Sequence, residues 1–111
     1  MKYLITESQL DKTIFKYLDN QDFIQIKIVG TIYFVNSEGD EYAQIKFDKK
    51  NGWCYVYYKL IKEISTFFSM QDSDSESVIG RWVENRLQMK VTDTHQTQHP
   101  AHAWLRIPYY N

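Results

Sequence analysis

The sequence predicts an α+β fold: a four-stranded, mainly antiparallel meander packed with an N-terminal helix and a C-terminal helical hairpin. Three observations carry that reading. Glu41 to Phe68 runs strand, turn, strand, helix in order, with Asn51-Gly52 at the turn, a pair that tolerates positive φ and suits a tight hairpin. Upstream, Ile24, Ile26 and Ile28 alternate with Gln25 and Lys27, the period-two pattern of a strand with one apolar face. Downstream, Leu60, Ile61, Ile64, Phe67 and Phe68, then Val78, Ile79, Trp82, Val83 and Leu87, recur at helical spacing.

In chain order, Thr6 with Gln9 forms a T-x-x-Q capping box and starts a helix that presents Leu10, Ile14, Phe15 and Leu18 on one side. The polar run Asp19 to Asp22 ends it. Strands follow at about 23–28 and 31–35, joined at Val29-Gly30, and Asn36 to Asp40 reads as a loop. The hairpin strands occupy about 42–48 and 53–58. A helix over 59–70 leads through the acidic break Gln71 to Asp74 into a third helix at 74–89, which opens on a second capping box, Ser73 with Glu76. Gly80 inside that helix marks a close helix contact, since glycine there costs about 1 kcal/mol relative to alanine. Met89 to Thr92 re-extends as a strand, and Thr94 to Ala103, with Pro100, reads as a polar loop. The expected core is Leu10, Ile14, Leu18, Ile24, Ile26, Ile28, Phe34, Ile45, Phe47, Val56, Ile64, Phe67, Ile79, Trp82, Val83 and Leu87.

The hairpin admits two registers. A two-residue turn at Asn51-Gly52 sets Phe47 against Val56 and leaves Trp53, Tyr55 and Tyr57 beside Lys50, Asp48 and Lys46. A three-residue loop with a bulge at the glycine sets Phe47 against Tyr55 and buries those aromatics. The Asn-Gly dipeptide favours the first.

The chain has 111 residues, enough for one domain, 1–111, with a single core. A formal charge of −1 supplies no global field to draw in nucleic acid or an anionic membrane. The one cysteine, Cys54, falls mid-strand and reads as a buried, reduced thiol. The N-terminal residues lack a signal-peptide pattern, and no apolar run approaches the roughly 20 residues of a membrane span. A cytoplasmic protein, of a cell or of a virus replicating in one, is expected.

The sequence contains no G-x-S-x-G, P-loop or H-E-x-x-H, and its carboxylates fall at loops and helix starts, so no catalytic residue, cofactor site or enzymatic role is assigned. His95, His99 and His102 cluster, but Pro100 blocks a helix that would align them on a metal, and a solvated loop without metal is expected. The helix pair outlines a helix-turn-helix. Its second helix, however, begins at Asp72, Asp74 and Glu76, which phosphates would repel, so a hairpin packed on a sheet is expected. Two surfaces remain as candidates. Trp53, Tyr55 and Tyr57 with Lys46 and Lys50 form an aromatic row with flanking lysines that could stack single-stranded bases. The C-terminal Trp104, Leu105, Ile107, Tyr109 and Tyr110 are too apolar for a free tail and are expected to dock on the body or on a partner, with a two-fold dimer the favoured setting.

The opening Met1-Lys2-Tyr3-Leu4-Ile5-Thr6-Glu7-Ser8-Gln9-Leu10 and the segment Trp82 to Thr92, WVENRLQMKVT, resemble stretches of small uncharacterised proteins of tailed phages and marine viral metagenomes. The resemblance implies viral origin. It implies no defined activity and carries over no site residue. The expectation is a small, non-enzymatic, phage-encoded module that binds protein, whether a host factor, a virion component or its own copy. Single-strand nucleic-acid binding through the aromatic row is the alternative, and no membrane association is expected. The partner surface is assigned to Trp53, Tyr55, Tyr57, Lys46, Lys50, Trp104, Tyr109 and Tyr110.

Overall fold

The structure, a computed structural model, describes residues 3–36 and 42–102, with side chains over 9–36 and 42–101. The elements are α1 (Tyr3–Asp19), β1 (Ile24–Ile28), β2 (Thr31–Val35), β3 (Tyr42–Ala43), β4 (Ile45–Asp48), β5 (Trp53–Tyr57), α2 (Tyr58–Phe68), α3 (Asp72–Leu87), β6 (Asp93–Thr97) and β7 (Ala101–His102). The class is α+β as expected, but the sheet is mixed. Its order is β1-β2-β4-β5-β6, antiparallel except for β6, which runs parallel to β5. A parallel return needs a crossover, and α2 with α3 provides it. β3 and β7 form a separate two-stranded ribbon.

The loop expected at 94–103 therefore holds two strands. Asp-Thr-His-Gln-Thr is too polar to read as a strand alone, but at a sheet edge only part of each side chain needs burial. Gly80 explains the close packing beside it. A Cβ at Gly80 would lie 2.3 Å from Thr94 Oγ1, so the close contact is between α3 and β6 rather than between two helices.

The hairpin adopts neither expected register. Ile45 pairs with Val56 and Phe47 with Cys54, across a four-residue loop, 49–52. The cause is tertiary. Thr92 N–H donates to Gly52 O at 2.8 Å, and Thr92 Oγ1–H donates to Asn51 O at 2.7 Å, so the chain leaving α3 grips the loop. Only Gly52, at φ +77°, takes the left-handed conformation there; Asn51 does not, so no type I′ turn forms. The register is slipped by two residues from the favoured expectation, and an even slip keeps every side chain on its face. Trp53, Tyr55 and Tyr57 thus lie beside Asp48 and Lys46, as the first register implied, with different cross-strand partners.

The core lies between the helices and one face of the sheet. Ile32, Phe34, Ile45, Phe47, Cys54 and Val56 meet Ile14 and Leu18 of α1, Ile61 and Ile64 of α2, and Val78, Ile79, Trp82 and Val83 of α3. Trp82 packs on Phe23 and Phe34, with ring centroids 5.7 and 5.3 Å away, and its indole N–H donates to Asp19 Oδ1 at 3.0 Å. Ser65 and Ser75, buried between α2 and α3, bond to each other at 2.8 Å. The helical pair is a hairpin packed on the sheet.

Several expected positions shift. Ile24, Ile26 and Ile28 do not enter this core, because β1 aligns them with Val35, Tyr33 and Thr31 on the opposite face. Phe67, expected in the core, is 68% exposed, and Leu10 is also exposed. Leu87 packs at the core's margin. Buried Ile32, Cys54, Ile61 and Val78 join the core instead. Neither capping box starts a helix. α1 begins at Tyr3, so Thr6 lies within it, and α3 is capped by Gln71 with no side-chain bond, so Ser73 is its second residue. The first segment of the viral resemblance is thus largely helical from Tyr3.

Candidate functional site

Helices cover one face of the five-stranded sheet, and alternation sends every second residue to the other. Among the described residues that second face is covered only in part, by the β3–β7 ribbon, whose Ala43 and Ala101 pack with Tyr33, Val35 and the half-buried Ile24, Ile26 and Ile28. The ribbon exists because β3 leaves the main sheet at Gln44. There the backbone N–H still donates to Phe34 O and the carbonyl accepts from Tyr57 N–H, both at 2.9 Å. Burial pushes the Tyr33 phenol up from its ordinary pKa.

Beyond the ribbon lies the row that β5 sets out. Trp53 is 38% exposed, and Tyr55 and Tyr57 are partly buried. His95, on β6 in register with Tyr55, fills the space between the first two rings: its centroid is 4.6 Å from Trp53 and 5.7 Å from Tyr55. Lys46 Nζ sits 5.5 Å from the Tyr55 centroid, and Lys59 Nζ sits 6.0 Å from that of Tyr57. Carboxylates flank the tryptophan. Asp48 is its cross-strand partner on β4 and Asp93 its partner on β6. Asp48 Oδ1 accepts from Lys50 N–H at 2.9 Å, and Asp93 Oδ1 accepts from Thr94 N–H at 3.0 Å. Asp93 Oδ2 lies 3.3 Å from His95 Nε2, which is shielded from solvent and makes no aligned hydrogen bond.

Comparison of the chain with protein-family models, curated proteins and solved structures finds no match. The surface must be read from its own chemistry.

The structure brings four of the expected site residues together, Trp53, Tyr55, Tyr57 and Lys46, and places Lys50 in the exposed loop at the Trp53 end. Trp104, Tyr109 and Tyr110, with the expected docking of the C-terminal segment, lie outside the described residues. Sequence reading missed His95 and Asp93 as members of the row, since His95 fell in the expected loop and Asp93 between that loop and the strand expected at Met89 to Thr92. A β-branched threonine at 94 and another at 97 were the available signal. His99 lies in the bend after β6, where its carbonyl accepts from Thr97 Oγ1–H at 2.9 Å. No group of three His, Cys, Asp or Glu side chains among the described residues is arranged to hold a metal. Among the described residues no helix is long and apolar enough to cross a membrane.

Two other places have less chemistry. Phe67 packs on Tyr17 and Phe68 at the α1–α2 ledge, near a cleft of about 600 Å³ lined by Leu10, Phe68 and Met70, but the Arg81–Asp11 ion pair at 2.9 Å spans that cleft. Between α3 and β6, burial raises the Glu76 carboxyl above its ordinary pKa. Cys54 is buried in the core; its thiol is pushed up to about 12 by burial first and by Glu76 second. A neutral, hidden thiol is no nucleophile.

Proposed function

We propose that this protein is a non-enzymatic interaction module that binds a protein partner through the helix-free sheet face. One observation carries the reading: an exposed tryptophan and two tyrosines stand in line on a sheet face that no described helix covers, while the same sheet's other face is fully packed. Tyr and Trp supply large contact area with little entropy to lose, and they dominate the energetics of protein interfaces. The apolar strip of Ile24, Ile26 and Ile28 on the same face adds further area of the kind proteins bury on binding. Following the resemblance at Met1–Leu10 and Trp82–Thr92, we place the module in a phage-infected cell's cytoplasm, acting on a host factor, a virion component or a second copy.

Single-strand nucleic-acid binding is the second reading, favoured by Lys46 over Tyr55 and Lys59 over Tyr57. It is the weaker one because Asp48 and Asp93 flank Trp53, the most exposed ring, and a phosphate backbone following the stacked bases would pass between two carboxylates. Affinity capture from infected cells tests the choice. The wild-type chain should retain a protein that the Trp53→Ala/Tyr55→Ala variant loses. Equal capture by both chains, at equal folded concentration, would refute the proposal.

A further inference from the structure

We propose that the helix-free face recognises a basic segment of its partner, one arginine or lysine of which stacks on Trp53 between the carboxylates of Asp48 and Asp93. The inference rests on the interaction-module reading and names the chemistry of the partner.

The row of rings is the first support. Tyr55 and Tyr57 each carry a cation of this chain over the ring, from Lys46 and Lys59. Among the described residues no cation lies over Trp53. Indole is the strongest cation–π acceptor of the three side chains, and Trp53 is the ring most open to solvent. The pairing of the aspartates is the second. In the helical layer Asp11 is bridged to Arg81, Asp19 to Arg86 and Asp72 to Lys62. Among the described residues Asp48 and Asp93 meet no lysine or arginine side chain. Each spends one oxygen on a backbone N–H and keeps the other, although that of Asp93 also approaches His95.

Register is the third. Asp48, Trp53 and Asp93 lie directly opposite one another on three adjacent strands, so the backbone bearing each carboxylate is one strand spacing, about 4.8 Å, from the backbone bearing the indole. A planar guanidinium can lie on the ring and donate sideways to both carboxylates, which an ammonium does with less directional fit. From β5 to β1 is three strand spacings, roughly 14 Å, which four to five extended residues span. A partner segment with an arginine at one end and an apolar residue four positions away would therefore reach both Trp53 and the Ile24–Ile26–Ile28 strip.

The test is a titration of the isotope-labelled full chain, followed by NMR, with three blocked peptides: Leu-Ser-Ser-Ser-Arg and its Gln and Glu counterparts. Decathymidylate is the fourth probe. The arginine peptide should move the Trp53 indole and His95 ring resonances and bind roughly fivefold tighter than the glutamine peptide, with the preference fading as salt is raised. Asp48→Asn/Asp93→Asn should abolish the preference. Asparagine keeps the oxygen that accepts from Lys50 or Thr94, so the loop and the edge stay in place. If the glutamine or glutamate peptide binds as tightly as the arginine peptide at this face, the inference fails and the interaction module stands. If decathymidylate moves these resonances and no peptide does, both fail.

Discussion

On the side of the sheet that the helices cover, Ile45, Phe47, Cys54 and Val56 are each at most 1% exposed; on the other side Trp53, the next residue along the same strand, is 38% exposed. The two faces are made by the same strands and differ by one step of the pleat. The covered face is uniformly apolar and packed against three helices. The open face mixes rings, lysines and carboxylates, with a ribbon over one end. Burial sets stability on the first; the second carries the accessible, directional chemistry on which the proposed binding rests. Mutations on the two faces should therefore separate the two properties.

The largest separation is expected between two rings on opposite faces of the β4–β5 pair. Phe47→Ala opens a cavity in the packed face and should destabilise by about 3–5 kcal/mol. Trp53→Ala, on the open face, should cost about 1 kcal/mol, because the ring keeps much of its surface in water. Denaturant midpoints of the two variants measure the contrast. Comparable losses would mean that the open face is structural.

Next in size is the seam between α3 and β6. Gly80→Ala should gain about 1 kcal/mol of helix propensity and lose more to the clash with Thr94, for a net loss of about 1–2 kcal/mol. Adding Thr94→Ala should recover most of it. A stabilised Gly80→Ala would show that the seam is looser than described.

The buried serine pair sharpens the point further. Ser75→Ala leaves the Ser65 hydroxyl without its partner and should cost about 1–2 kcal/mol, whereas Ser65→Ala/Ser75→Ala should be closer to wild type. If the double variant is the worse of the two, the pair acts through packing rather than through its hydrogen bond.

The smallest effect is in pH. The Cys54 thiol, pushed up to about 12 in the folded chain, ionises in the unfolded chain from about 9. Below 9 both states hold the proton and stability is unaffected; between 9 and 12 only the unfolded state releases it, so stability falls as pH rises. Tyr17, raised to about 12 by burial and by its bond to Glu63, adds a loss in the upper part of that window. Cys54→Ala should flatten the decline between pH 9 and pH 10 and leave the Tyr17 contribution above it. An unchanged slope would place the thiol in contact with solvent. Thiol labelling of the native chain should likewise be slow and accelerate on unfolding.

Much of the covered face was legible in the sequence, since helical spacing and period-two alternation report which side chains need burial. Ile14, Leu18, Ile64, Ile79 and Val83 were all placed in the core from spacing alone. What spacing could not convey was which of two faces a strand's apolar residues serve: Ile24, Ile26 and Ile28 alternate perfectly, but toward the ribbon. Nor could a local dipeptide set the hairpin, because Thr92, forty residues on, decides the conformation of Asn51-Gly52. β6 escaped because an edge strand in a parallel pair needs no apolar alternation. Phe67 satisfied the helical period yet sits where α1 and α2 leave its ring open, a consequence of helix placement that no local pattern encodes. For the site, the row Trp53, Tyr55, Tyr57 with Lys46 was readable because an even register slip preserves faces. Asp93 and His95 depended on the unread strand.

The account's central claim is that partners meet the open face of the sheet. Site-specific photo-crosslinking in cells that express the chain tests it most directly, with p-benzoylphenylalanine replacing Tyr55 on that face or Phe67 on the α1–α2 ledge. The account expects a discrete protein adduct from position 55 and none from position 67. An adduct from position 67 alone would contradict it.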